Sequence, residues 1–116
     1  MKGRPFSQRL KYAVAGIIEA WRRERSVRSH AIGALVAVAG GVVLRAQPIW
    51  WAALALAIAL VLVAEIVNSS IEALADHLHP SEHPSIKAAK DMAAGAVLLA
   101  SLAALIVGAC FVLSLL

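Results

Sequence analysis

The sequence predicts an all-α integral membrane protein in which an N-terminal amphipathic surface helix precedes three transmembrane helices. Hydrophobic residues make up 61% of the 116 residues, and the mean hydropathy is +0.80. An ordinary soluble domain is only about half apolar. Three apolar blocks without charged side chains occupy residues 31–44, 48–64 and 92–116. The basic residues crowd the beginning of the chain, and the length predicts a single domain.

The segment 1–28 has the pattern of an amphipathic helix on a membrane surface. Its large apolar residues recur at steps of three and four, and charged residues occupy the other faces. The apolar positions are Phe6, Leu10, Val14, Ile17, Ile18 and Trp21. A basic arm that only fixes the membrane topology is the alternative interpretation.

The three transmembrane spans are expected at about 29–47, 48–70 and 91–116, because crossing a bilayer takes about 20 apolar residues. The second helix should continue beyond the membrane to about Leu78, since the apolar face continues through Ile71 and Leu74. Two prolines interrupt the loop 77–90. Ser85 is the expected N-cap of a final helix that begins near Ile86.

The distribution of basic residues predicts the orientation in the membrane. Eight of the eleven Lys and Arg residues precede residue 29, and Lys87 and Lys90 lie in the loop 77–90. Arg45 is alone in the other loop. The positive-inside rule therefore places the N-terminus and the loop 77–90 in the cytoplasm. The net charge of +4 of the chain comes mostly from that side, which suits anionic lipid headgroups better than nucleic acid, so no nucleic-acid partner is expected.

A polar stripe marks the end of the second span. Its members are Glu65, Asn68, Ser69, Glu72 and Asp76. At about 100° per residue, these side chains fall on one face of a helix. Ionisable groups near the membrane are costly unless they are paired, hydrated or bound to a metal, so the stripe is a candidate functional site.

The residue types in and around this stripe suit phosphoryl transfer. Glu24, Lys90 and Asp91 should lie at the same membrane interface. Magnesium binds one or two protein carboxylates and completes its shell with water and substrate phosphates. Lys90 offers a compact positive charge for phosphate oxygens, and a further carboxylate could act as the base. These are the parts that phosphoryl transfer requires. The chain lacks a P-loop motif, so a nucleotide must be held by a different architecture.

Other interpretations compete with this one. The polar groups could pair with one another and only stabilise a helical bundle. His77, His79 and His83 could bind zinc, although a solvated loop is favoured because no Cys or helical His pair accompanies them. A small proton-coupled multidrug exporter would have a similar length, but usually four spans and a mid-membrane Glu in the first. A membrane scaffold without catalytic activity would leave the acidic stripe unexplained.

The chain resembles the small membrane lipid kinases of the prokaryotic diacylglycerol kinase and undecaprenol kinase family. The resemblance covers nearly the whole chain. It is carried by Glu65-Ile-Val-Asn-Ser-Ser-Ile-Glu72, by Ala89-Lys-Asp91 followed by Met-Ala-Ala-Gly-Ala-Val, and by Ala20-Trp21 leading to Glu24 and Arg28. It implies a homotrimer of three-span subunits in the bacterial plasma membrane, with active sites shared between neighbouring subunits. Mg²⁺ and ATP are the implied cofactor and co-substrate.

The resemblance also implies roles for the residues of the stripe. Glu65 would be the base that deprotonates the hydroxyl of a membrane lipid alcohol. Glu24 and Glu72 would hold the metal that bridges the ATP phosphates. Asn68 would support the catalytic site together with Glu72.

The remaining implied contacts concern the nucleotide and the lipid. Lys90 and Asp91 would contact the nucleotide, with the lysine on phosphate, and Tyr12 and His83 match positions near it. The lipid would be diacylglycerol or undecaprenol. His30 stands where the better-known diacylglycerol kinases carry an acidic residue, and undecaprenol kinases resemble this chain there.

Overall fold

A computed structural model describes residues 2–116 as four α-helices. The helices are α1 (Phe6–Arg23), α2 (Arg25–Val43), α3 (Pro48–Leu78) and α4 (Pro84–Ser114). The antiparallel pair α3 and α4 forms the most extensive helix–helix contact, and α2 packs against α3. The N-terminal helix α1 touches both α2 and α3. Within residues 2–116, α2 and α4 make no close backbone approach, and cavities lie between them.

The helices α2, α3 and α4 are each long and apolar enough to cross a membrane. Little of their apolar surface is covered within the chain, and among residues 2–116 the buried hydrophobic core consists of Val27, Val61, Ala93 and Ala100. Large apolar patches of this kind are rare on soluble monomers. The prediction of an all-helical membrane protein with three spans is therefore confirmed.

The junction between α1 and α2 is fixed by an arginine. Glu24 separates the two helices in an extended conformation, and its N–H donates to the carbonyl of Ala20 at 2.9 Å. The Arg28 Nη1 atom donates to the carbonyls of Trp21 at 2.6 Å and Arg22 at 3.1 Å. The last carbonyls of a helix have no intrahelical partner. Arg28 supplies these partners and stabilises the bend at Glu24.

A short connection links α2 to α3. At the end of α2, Arg45 adopts a left-handed conformation (φ 55°), and the N–H of Ala46 donates to the carbonyl of Gly41 at 2.9 Å. This arrangement is a Schellman motif, which usually has glycine in the left-handed position. Gln47 is the N-cap of α3, which begins at Pro48.

Two sequence predictions concern the end of α3 and the beginning of α4. The prediction that α3 extends to Leu78 is confirmed. The prediction of Ser85 as N-cap is wrong, because α4 begins at Pro84 and His83 is the N-cap. The N–H of Ser85 donates to Nδ1 of His83 at 3.1 Å. Proline is favoured at the first helical position because it has no N–H to satisfy, which moves the cap to the preceding residue.

Gly41 permits a close contact between α2 and α3. A Cβ atom added at Gly41 would lie 2.9 Å from Cη2 of Trp51, whereas one added at Gly40 would meet nothing within 4 Å. We therefore expect Gly41→Ala to lower the free energy of unfolding by about 1–3 kcal/mol relative to Gly40→Ala, which is the usual cost of overpacking. Both substitutions gain the same helix propensity, which cancels in the comparison.

The measurement is reversible unfolding of both variants in detergent micelles. Trp51 fluorescence, measured in a background in which Trp21 and Trp50 are replaced by Phe, provides a local signal of ring displacement in Gly41→Ala. Equal stability of the two variants would show that Trp51 does not pack on Gly41.

Candidate active site

A buried carboxylate lies at the contact between α2 and α3. Glu65 is only 5% exposed. The hydroxyl of Ser26 donates to its Oε2 at 2.8 Å, and Nδ1 of His30 lies 3.0 Å from its Oε1. The same Nδ1 lies 3.0 Å from the backbone carbonyl of Ser26. Both oxygens of Glu65 are therefore engaged by one face of α2.

The rest of the polar stripe continues from Glu65 along α3. Ser69 is buried, and Asn68 and Glu72 are half-buried. The Oδ1 atom of Asn68 is buried without a hydrogen-bond partner within residues 2–116. Over the same part of the chain, Glu72 has neither a hydrogen-bond nor an ion-pair partner. An unsatisfied buried oxygen is rare and is often explained by a missing ligand, ion or water.

Two ion pairs involve the lysines in the first turns of α4. Lys90 Nζ donates to Oδ1 of Asp76, the last acidic residue of the stripe. Lys87 Nζ pairs with Oδ2 of Asp91 at 2.7 Å, one turn further along the same helix. Lys90 is thereby tied to α3, and an ammonium group retains further N–H donors for another ligand.

His83 and Lys90 line a common cavity, whereas Tyr12 is engaged elsewhere. This polar cavity of about 250 Å³ is formed by the loop after α3 and the first turns of α4. Its walls include Glu82 and Lys87. The Tyr12 hydroxyl accepts a hydrogen bond from Nη1 of Arg4 at 3.1 Å, and the guanidinium lies 5.5 Å from the ring centre.

The carboxylates expected to bind a metal come from different helices. Glu24 lies at the α1–α2 junction, and Glu72 lies on α3 two turns after Glu65. Within residues 2–116, no group of three or more His, Cys, Asp or Glu residues is arranged to hold a metal ion. Among the described residues 2–116, neither Glu24 nor Glu72 has an ion-pair partner. Two such carboxylates suit magnesium, whose remaining ligands are commonly water and phosphate oxygens.

An apolar cavity between the membrane helices extends toward Glu65. It measures about 490 Å³ and lies between α2, α3 and α4. Ser29 and His30 line it on α2, and Val61 and Leu62 line it on α3, one turn before Glu65. His30 therefore contacts the buried carboxylate and also lines an apolar space.

The sequence relationships agree with this geometry. The family model for prokaryotic diacylglycerol kinase matches residues 11–112, which include all four helices nearly in full. This chain belongs to the prokaryotic diacylglycerol kinase family. Membership confirms the resemblance noted from the motifs, and it confirms the prediction of a lipid kinase at the level of the family, in preference to the exporter.

Individual members of the prokaryotic diacylglycerol kinase family differ in their named substrate. The diacylglycerol kinase of Synechocystis sp. is 39% identical over 104 residues, covering 89% of this chain and 59% of that protein. The undecaprenol kinase of Bacillus subtilis is 34% identical over 103 residues, covering 89% and 84%. The diacylglycerol kinase of Escherichia coli K12 is 35% identical over 95 residues, covering 82% and 78%.

Sequence reasoning missed Ser26 as a partner of Glu65. The two residues are separated by 39 positions along the chain. The only local signal was the spacing of Ser26 and His30, which are four residues apart and therefore on one face of a helix. That signal could have indicated a pair of polar groups on α2, but not which carboxylate they contact.

Proposed function

We propose that this member of the prokaryotic diacylglycerol kinase family transfers the γ-phosphate of Mg-ATP to the hydroxyl of a membrane lipid alcohol, either diacylglycerol or undecaprenol. The observation that carries the proposal is the buried Glu65 carboxylate, which Ser26 Oγ and His30 Nδ1 contact one turn beyond the α3 residues that line an apolar cavity. A lipid chain can occupy an apolar space of this kind while its hydroxyl reaches a polar group at the end.

Glu65 is the proposed general base. As the lipid oxygen bonds to the γ-phosphorus, its proton passes to a Glu65 oxygen, and the bond between the γ-phosphorus and the β-phosphate oxygen breaks to release ADP. A positioned base of this type commonly contributes roughly 10²–10⁴-fold to the rate. The unsatisfied Oδ1 of Asn68, one turn after Glu65, is available for the substrate or an ordered water.

The nucleotide phosphates are proposed to lie at the end of the stripe beside Glu72, where Lys90 of α4 pairs with Asp76. Glu24 and Glu72 would hold Mg²⁺, which neutralises phosphate charge when bound. Lys90 would contact phosphate, because its pairing with Asp76 fixes the ammonium group and leaves N–H donors free. Asp91 and His83 would contribute to the nucleotide site from α4, and Tyr12 from α1.

The exposed apolar surface of the three spans supports a homotrimer with active sites shared between neighbouring subunits. One subunit leaves the groove between α2 and α4 open and gathers only part of the predicted site. We place α1 on the cytoplasmic leaflet of the bacterial plasma membrane as an amphipathic helix. The basic residues before residue 29, together with Lys87 and Lys90 at the start of α4, favour that orientation.

Transfer of labelled phosphate in mixed micelles tests the proposed function. Purified protein is incubated with Mg²⁺ and γ-labelled ATP, and diacylglycerol and undecaprenol are offered separately. We expect a labelled lipid product with at least one acceptor and none without Mg²⁺. Phosphatidic acid would identify diacylglycerol as the acceptor, and undecaprenyl phosphate would identify undecaprenol. Absence of both products with correctly folded protein would contradict the proposed function.

A further inference from the structure

We propose that Ser26 and His30 are positioning residues that orient the Glu65 carboxylate toward the lipid hydroxyl, an inference that rests on the function proposed above. Each residue engages a different oxygen of Glu65, at 2.8 Å from Ser26 Oγ and 3.0 Å from His30 Nδ1. Two contacts on opposite oxygens prevent rotation of the carboxylate, whose terminal torsion is otherwise broad.

The backbone of α2 explains why these two residues act together. Ser26 and His30 are four residues apart, so their side chains lie one above the other on the same face of the helix. α2 packs against α3, which brings that face to Glu65. The orientation of the base is thus set by the helix pair and does not depend on a mobile loop.

The arrangement leaves room for the substrate. An ionised carboxylate has about four acceptor sites on its two oxygens. Ser26 and His30 use one site on each oxygen, and the others remain available to a lipid hydroxyl. His30 also lines the apolar cavity, and its side chain is 39% exposed. The group that orients the base therefore lies beside the proposed path of the lipid chain.

The surroundings of His30 define its hydrogen-bonding role. Its Nδ1 lies 3.0 Å from Oε1 of Glu65 and 3.0 Å from the carbonyl of Ser26. Both of these oxygens act as acceptors when Glu65 is ionised. We therefore infer that the proton is on Nδ1 and that this one N–H is shared between the Glu65 oxygen and the Ser26 carbonyl.

Substitutions at His30 separate positioning from packing. His30→Asn places an amide N–H where Nδ1 was, whereas His30→Phe keeps a ring of similar size without a donor. A misplacement of about 1 Å can cost roughly 100-fold in rate. We expect kcat to fall about 10- to 100-fold in His30→Phe and to be largely restored in His30→Asn. The KM for Mg-ATP should change little in both variants, because His30 is not placed at the nucleotide.

Ser26→Ala provides the second test. It should lower kcat about tenfold, the effect of one hydrogen bond to a charged group, and Ser26→Thr should restore it. Ser114→Ala is the matched control, because within the described residues that hydroxyl bonds only the carbonyl of Phe111, at the C-terminal end of α4. All rates are expressed per amount of folded protein, so a variant that merely folds poorly is recognised.

An independent readout keeps this inference separate from the proposed function. In protein labelled with ¹⁵N-histidine, the His30 signals are assigned by their loss in His30→Asn, and we expect the proton on Nδ1. A proton only on Nε2, or equal kcat in the Phe and Asn variants, would overturn the positioning role. Failure of the proposed function gives a different result, in which the wild-type protein phosphorylates neither lipid. The spectrum of the histidine ring still decides in that case whether His30 acts as the Nδ1 donor.

Discussion

Glu65→Gln is expected to lower lipid phosphorylation by roughly 10²–10⁴-fold, the usual contribution of a positioned general base. The amide cannot accept the proton of the lipid alcohol, so the loss should be in kcat. Binding of Mg-ATP should persist, because Glu65 is not placed at the nucleotide. Initial rates in micelles give kcat, and equilibrium dialysis with labelled ATP gives the binding constant.

Glu65→Gln should retain the fold. The amide oxygen of Gln can accept from His30, and the amide nitrogen can donate to the hydroxyl of Ser26, which rotates to accept. Glu19→Gln is the matched control because Glu19 is exposed on α1, where it pairs with Arg23 at 3.9 Å. Turnover near the wild-type rate in Glu65→Gln would refute the role of base, as would equal losses in the two variants.

The sequence predicts the helices well because lipid imposes a simple rule. Backbone groups inside a bilayer must be satisfied within the segment, so an apolar block of sufficient length becomes a helix. The continuation of α3 to Leu78 followed from the apolar positions that extend beyond the membrane. The predicted N-cap of α4 was wrong by two residues, because the preference of Pro84 for the first helical position outweighs the capping tendency of Ser85.

The site was predictable in part. Helical periodicity places Glu65, Asn68 and Glu72 on one face, and the structure has all three on α3. Periodicity cannot describe how two helices are rotated against each other. The contact of Ser26 with Glu65 and that of Lys90 with Asp76 both depend on such packing between helices. The metal ligands stay a prediction, since Glu24 and Glu72 lie on separate elements.

The second large expected effect concerns the proposed metal ligand Glu72. Glu72→Gln should raise the Mg²⁺ concentration that gives half-maximal activity by at least about tenfold, because even residues that only support a metal ligand contribute roughly 10–100-fold to affinity. Activity should recover in part at high Mg²⁺, since an amide oxygen remains a weaker ligand. Initial rates measured over a series of Mg²⁺ concentrations at saturating ATP provide the test.

Glu24→Gln and the double variant show whether the two carboxylates bind one ion. If they do, their effects on Mg²⁺ dependence should be coupled and should not simply add. Glu19→Gln again serves as the control for loss of a negative charge on α1. A Mg²⁺ titration of Glu72→Gln that matches the wild type would remove Glu72 from the metal site. The half-buried carboxylate, without a partner within residues 2–116, would then need a different explanation, since an unpaired charge at membrane depth is costly.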